Sequence, residues 1–268
     1  MVNVTRIEIH AAHACNFTCE SCSHFSNNAH KGLVTPEYAD EQMSLWSNRL
    51  NPIRFSVLGG EPLLNPRIED FLRVARKHWK NSIELVTNGF LLPNFPNLGT
   101  IISELNINLI VSRHSNSPEF NITWDKVIAY LNSNTIPHAI RDSFENWTRR
   151  YQGYGPDVLP YENNRPEDSW NICPCKHCLQ ILDGKLYKCS TIAYLQLQKK
   201  RWPNISPKWD RYLAYKPLEH TATDQELEQF VSQKNESICN MCPAEPDKFE
   251  KPSPLITVGE LLSKLNNK

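Results

Sequence analysis

A chain of 268 residues, with 40% hydrophobic and 22% charged side chains, can bury the core of one sizeable domain and a small appendage. Its 29 basic and 29 acidic residues balance, which leaves no overall field to recruit nucleic acid or an anionic membrane surface; no apolar run reaches the ~18 residues of a transmembrane helix. The start, MVNVTRIEIHAAHAC, lacks the basic opening and long apolar stretch of a secretory signal, so a cytoplasmic location is expected and the glycosylation pattern at Asn16 is read as chance.

Alternation of apolar and polar residues predicts a first strand over Thr5 to Ala11, followed by a cysteine-rich loop. Thr35 is a suitable N-cap and Pro36 a suitable first helical residue, so the next segment reads as a helix. Residues 53–62, IRFSVLGGEP, read as a strand ending in a glycine turn. Helical spacing of Ile68, Phe71, Leu72 and Ala75 predicts a helix from Arg67 to Trp79. Strands are then expected at 82–89, 106–115 and 136–144, with a helix over Asp125 to Asn132. Strand–helix repetition implies an α/β fold with a mostly parallel sheet, whose sites gather at the carboxyl ends of the strands. The cysteines follow the first strand, Gly59 to Pro62 the second, and Thr87-Asn88-Gly89 the third.

Beyond Phe144 the texture changes. Residues 147–170, rich in Arg, Tyr, Gly, Pro and Asn, read as a long irregular connection, and a lid is expected over Tyr151 to Tyr161. A cysteine-rich region runs from Cys173 to about Pro243, and the tail from Pro252 to Lys268 holds a short amphipathic helix candidate.

Nine cysteines without an export signal point to metal rather than disulfides. They cluster as Cys15, Cys19 and Cys22, then Cys173, Cys175, Cys178 and Cys189, then Cys239 and Cys242, which suggests two separate metal sites. The first set has C-x3-C-x2-C spacing. Zinc would want a fourth ligand, with His13 or His24 available, whereas an iron–sulfur cubane held by three cysteines leaves one iron open.

This cysteine motif after a first strand, with Gly59-Gly60-Glu61-Pro62 after a second, resembles the radical S-adenosylmethionine (SAM) superfamily over about residues 5–142. The resemblance implies a partial (β/α)6 barrel over 1–146 and a 4Fe–4S cluster on Cys15, Cys19 and Cys22 whose open iron chelates SAM. Reduction of that cluster would cleave the sulfonium bond and give a 5′-deoxyadenosyl radical that takes hydrogen from substrate. It also implies that Gly59, Gly60 and Glu61 hold the amino end of SAM, with Asn88 and Ser112 near its ribose. Glycines permit close backbone approach and a carboxylate pairs with an ammonium, which agrees with those roles. Many members carry an aromatic residue before the third cysteine; this chain has Ser21, and His24 or Phe25 is expected to supply the adenine contact.

Asp183-Gly184 is a two-residue hairpin signal, and a ladder continued outward from it sets Cys178 opposite Cys189. Cys239 and Cys242 supply a second pair, and four such cysteines suit either a zinc ribbon or a fully ligated iron–sulfur cluster. The hairpin followed by C-x2-C resembles the twitch module of SPASM-type enzymes. That implies a connecting loop over 147–172, an auxiliary 4Fe–4S module over 173–250 with Cys178, Cys189, Cys239 and Cys242 as ligands, and a tail over 251–268. Cys173 and Cys175 are then left over, as inert residues, as substitutes for Cys178, or as a thiol that returns hydrogen to a substrate radical.

A short chain of this kind resembles enzymes acting on sugars, aminosugars or aminocyclitols. The expectation is a radical SAM oxidoreductase or epimerase acting on a small carbohydrate-like molecule and reduced by a flavodoxin or ferredoxin. Candidate substrate contacts are Arg113, His114, Arg141, Asp142, Arg149, Arg150, Tyr151 and Tyr154. The alternatives are a peptide-modifying epimerase or crosslinking enzyme, and a non-catalytic zinc-binding interaction module.

Overall fold

The structure is a computed structural model that describes residues 1–28 and 31–249. The tail helix candidate, and with it the segment 251–268, lies outside the described residues. Seven strands form one sheet in the order β5-β4-β3-β2-β1-β6-β7. They are β1 (Val2–Ala12), β2 (Leu50–Gly59), β3 (Ser82–Thr87), β4 (Ile107–Arg113), β5 (Ala139–Asp142), β6 (Cys178–Leu182) and β7 (Lys185–Tyr187). All neighbours pair in parallel except β6 with β7, which form the hairpin.

Alternation along the strands divides the sheet into two chemically different faces. One carries Ile7, Ile9, Phe55, Val57, Ile83, Leu85, Leu109, Val111, Leu179 and Ile181, all in the main apolar core. Against it pack Ala39, Met43 and Trp46 of α1 (Pro36–Trp46), Phe71, Leu72 and Ala75 of α2 (Ile68–His78), Leu98 and Ile102 of α3 (Leu98–Glu104), and Val127 and Leu131 of α4 (Pro118–Ser133). The opposite face carries Arg6, Glu8, Ser56, Glu84 and Gln180. Burial makes a lone charge costly, and here the charges are paired. Arg6 donates to Glu84 at 3.1 Å, Ser56 to the same carboxylate at 3.2 Å, and Gln180 to Glu8 at 2.6 Å.

Thr35 caps α1 by accepting the Tyr38 N–H, as its position before Pro36 led us to expect. Helix α4 begins at Pro118 behind a Ser117 cap, a full seven residues earlier than the expected Asp125, because Phe120 and Trp124 extend its buried stripe.

The hairpin is not a body separate from the barrel strands. Its first strand adds to the free edge of β1, with Arg6 opposite Cys178 and Ile9 opposite Ile181, so a boundary at residue 173 does not divide the sheet. A second apolar core does lie beyond it. Phe25, Tyr151, Val158, Tyr187, Tyr194, Trp209, Tyr212 and Met241 are among its members. It takes in α6 (Ser190–Arg201) and α7 (Asp210–Leu213), while the short α5 (Pro166–Asn171) packs beside the Ser237–Met241 turn and α8 (Asp224–Ser232) reaches back to the main core through Leu227.

Candidate functional site

At the carboxyl ends of β1, β2 and β3 the backbone is held by close crossings. Gly60 N–H bonds to the Ala12 carbonyl at 2.9 Å and Glu61 N–H to that of Ala14 at 2.8 Å. A Cβ on Gly59 would stand 2.2 Å from the Ala12 oxygen, and one on Gly60 2.2 Å from the Ala14 oxygen. The glycines are therefore required by the approach of the chain leading into Cys15. Glu61 clasps the same junction: its carboxylate accepts from Thr87 Oγ1 at 2.5 Å, the Asn88 N–H at 2.8 Å and the Leu63 N–H at 3.0 Å. Burial outweighs these bonds and pushes the Glu61 carboxyl up to about 7. Asn88 in turn donates to Asn16 at 2.6 Å, which ties the third strand end to the cysteine loop.

Cys15, Cys19 and Cys22 face one cavity of about 330 Å³, together with Gly59, Gly60, Glu61, Asn88, Ser112 and His114. Their environments differ. Burial drives the Cys15 and Cys19 thiols well above the usual range, with the charge of Cys19 adding to the first and that of Cys22 to the second. Burial also acts to raise Cys22, but the hydrogen bond and charge of His24 and two backbone N–H groups outweigh it, so Cys22 falls below its ordinary value. For His24 the desolvation is offset by Cys22 and Glu8, and its pKa rises to about 10. Cys22, His24 and Glu8 thus form a buried row whose members shift one another's titration. His114 lies 3.5 Å from the Cys19 sulfur, and burial lowers its pKa to about 4, so it is neutral.

Of the expected adenine contacts, His24 lines the cavity and Phe25 does not. Phe25 is fully buried in the second core, stacked on Tyr151 at 4.6 Å with the rings 14° apart. The expected substrate contacts divide in the same way. His114, Arg141, Asp142 and Arg150 line the cavity. Arg113 bonds Asn121 at 2.6 Å and lies over the Trp124 and Phe144 rings, and Arg149 is paired with Glu20 and Asp247. Tyr151 is 1% exposed with its hydroxyl on the Cys22 carbonyl, and Tyr154 donates to the Asn27 carbonyl. Those four have structural partners in place of the cavity.

The segment that closes the cavity is Asn146 to Thr148 with Arg150, not the expected lid over Tyr151 to Tyr161. Tyr151 and Val158 are packed in the second core, and Trp209 donates to the Val158 carbonyl at 2.9 Å. One hydroxyl fastens this strap. Ser21 donates to the Tyr151 carbonyl at 3.0 Å and accepts the N–H groups of Arg150 at 2.7 Å and Tyr151 at 3.1 Å. Its departure from the expected aromatic was legible in the sequence; its role as a triple tie was not.

The hairpin pairing proposed for Cys178 and Cys189 is not formed. The ladder stops at Gln180 opposite Tyr187, because Cys189 is already the N-cap of α6 and Cys178 runs along β1 beside Arg6. Cys175 is instead the residue that, with Cys189 and Cys239, bears electrostatically on Cys242, and it also bears on Cys189. Cys178 faces Glu8, Cys175 and Arg6, and Cys173 is hydrogen-bonded to Cys175. Burial raises the Cys189 thiol to about 12 and that of Cys242 further, so ligation of metal there must release protons.

No family model matches the chain. Over 136 residues it is 30% identical to GTP 3′,8-cyclase of Microcystis aeruginosa (strain NIES-843 / IAM M-2473), a stretch that covers 48% of this chain and 39% of that protein. The chain spans about two fifths of the length of that curated relative. Among solved structures it is similar to anSMEcpe with bound AdoMet (TM-score 0.42, 19% identity, 52% of this chain and 43% of that one). It is also similar to Streptococcus suis SuiB bound to S-adenosylmethionine (TM-score 0.42, 18% identity, 53% and 36%). Both scores lie below 0.5; the sheet order itself, not these alignments, defines the fold as α/β.

The residues present fit the cofactors that a radical SAM chain implies. Three thiols from one loop share a cavity with a carboxylate and two polar strand ends, a soft donor set beside groups able to bind a nucleoside. Among the described residues no three His, Cys, Asp or Glu side chains converge closely enough to hold a single metal ion.

Proposed function

We propose that this chain is a radical SAM enzyme that removes hydrogen from a small polar, carbohydrate-like substrate, leading to dehydrogenation or epimerisation. The observation that carries the reading is the convergence of Cys15, Cys19 and Cys22 with Gly59, Gly60, Glu61, Asn88 and Ser112 on one cavity. Cys15, Cys19 and Cys22 would hold a 4Fe–4S cluster, and Cys175, Cys189, Cys239 and Cys242 an auxiliary one. Loaded with the cluster and SAM, these residues would hold groups that supply one-electron radical chemistry able to take hydrogen from an unactivated position.

The protein's own part is to bind, orient and keep water out. Glu61 holds the glycine turn beside the cysteine loop, and its carboxylate stands in the cavity wall where an ammonium group would find it. His24, raised by Cys22 and Glu8, favours its protonated form beside Cys22. Neutral His114 offers hydrogen bonding without charge. Trp147 donates to the Glu20 carbonyl at 2.9 Å, and with Ser21 this fixes the strap that covers the cavity.

Anaerobic purification tests the reading. Brown protein with about eight irons per chain is expected for two four-iron clusters. Colourless protein carrying two zinc ions overturns the enzyme reading. With a turned-over substrate in hand, solvent deuterium in the product marks epimerisation and its absence marks dehydrogenation.

A further inference from the structure

Adjacent arginines on the strap are treated in opposite ways. Arg149 is paired with two carboxylates, Glu20 at 2.9 Å and Asp247 at 2.7 Å, and lies over the Phe249 ring. Arg150 is only 4% exposed and lines the cavity, yet among the described residues no carboxylate lies within ion-pair distance of it. Its Nε and Nη2 donate to the carbonyl and hydroxyl of Thr148, and its Nη1 is buried without any hydrogen-bond partner. The backbone N–H of Arg150 is fixed by Ser21 at 2.7 Å, so the side chain leaves from an anchored point. Exposed Arg141 stands on the same cavity with no ion pair of its own among the described residues.

The Cys242 thiol lies within electrostatic reach of Arg150 but forms no hydrogen bond with it. A buried guanidinium without a carboxylate partner is costly, and it persists where a ligand supplies a paired anion. We propose that Arg150 is the anion-binding residue of the substrate site, and that the substrate carries a carboxylate or phosphate group which the free Nη1 edge of Arg150 engages, with Arg141 at the rim. The inference rests on the reading of this cavity as a substrate site. It narrows the substrate from a neutral polyol to an acidic one, such as a uronate or sugar phosphate. A fork of N–H donors matches the paired oxygens of either group, and pairing it would satisfy the guanidinium nitrogen of Arg150 that has no partner.

The test is calorimetric titration of inorganic phosphate, and separately of acetate, into the anaerobically iron-loaded protein, with Arg150→Gln and Arg150→Lys alongside. Iron content and SAM affinity are measured on each sample. The wild type is expected to bind phosphate or acetate, and the tighter of the two identifies the acidic group. Arg150→Gln should weaken that binding by about tenfold or more, and Arg150→Lys by several-fold, since lysine keeps the charge and loses the fork. Both variants should keep the wild-type iron content and SAM affinity. Equal binding by the wild type and Arg150→Gln overturns the proposal, as does binding of neither anion by the wild type. Loss of iron assigns Arg150 to the auxiliary cluster, and parallel weakening of SAM assigns it to the SAM carboxylate; either overturns it too. If Arg150→Gln does not fold by circular dichroism, Arg150→Lys decides alone. Failure of the wild type to cleave SAM would sink the enzyme reading and leave the anion titration readable.

Discussion

The two cysteine sets are built on opposite plans. Cys15, Cys19 and Cys22 come from one short loop, and the sheet supports them through the Gly60 and Glu61 crossings and the Asn88–Asn16 bond. The set proposed for the auxiliary site draws Cys175, Cys189, Cys239 and Cys242 from three segments, with Cys189 and Cys242 packed in the Tyr- and Trp-rich second core and Cys175 and Cys239 bearing on them electrostatically. Ligands set by local spacing survive errors in tertiary reasoning. A set assembled across the chain depends on each segment's end point, and one strand that stops two pairs early changes which thiols are neighbours.

The comparison can be broken by removing one member of each set. Cys19→Ser should lower reductive SAM cleavage by more than about 100-fold and cost about half the iron. Cys175→Ser should cost the other half, whereas Cys178→Ser should keep nearly all of it. Iron loss in the Cys178 variant alone would restore the hairpin assignment. The scaffold of the first set is tested next. Gly60→Ala forces a Cβ onto the Ala14 oxygen, and should destabilise by more than about 3 kcal/mol, read as a fall in Tm of roughly 6–12 °C.

Glu61 gives a pH signature. Its carboxyl rises from the ordinary 4.5 to about 7 on folding, so the native state binds the extra proton between those values. Its contribution is fully present below about pH 4.5 and is lost as pH rises through 7, up to about 3 kcal/mol in all. Urea titrations of the wild type and Glu61→Gln should diverge over that window, with the wild type losing ground as pH rises; a difference constant from pH 5 to 8 contradicts the assignment. The smallest effect is at the strap. Ser21→Ala removes three hydrogen bonds for about 1–3 kcal/mol and should speed proteolysis within residues 147–161.

The strands and their order-giving helices were legible because periodicity carries them: Ile68, Phe71, Leu72 and Ala75 give α2 in both sequence and structure. Helix α8 is announced in the sequence by its Thr223-x-x-Glu226 capping box. Helix α6 was not legible, since it is buried on nearly every side and so shows no amphipathic stripe. At the site, the cysteine loop and the glycine turn were visible as motifs. Phe25, Tyr151 and Tyr154 were misplaced because an aromatic beside a motif is equally suited to core packing, and nothing local tells the two apart. The contrast of Arg149 and Arg150 was beyond the sequence altogether, as Glu20 and Asp247 are 129 and 98 residues from the arginine they pair with.

The central claim is that the Cys15–Cys22 loop and the Gly59–Glu61 turn form one catalytic cavity for a reducible cluster and SAM. Incubating the anaerobically iron-loaded protein with dithionite and SAM tests it most directly. The account predicts 5′-deoxyadenosine from the wild type and none above background from Cys19→Ser. Iron-replete wild-type protein that leaves SAM intact under reduction contradicts it.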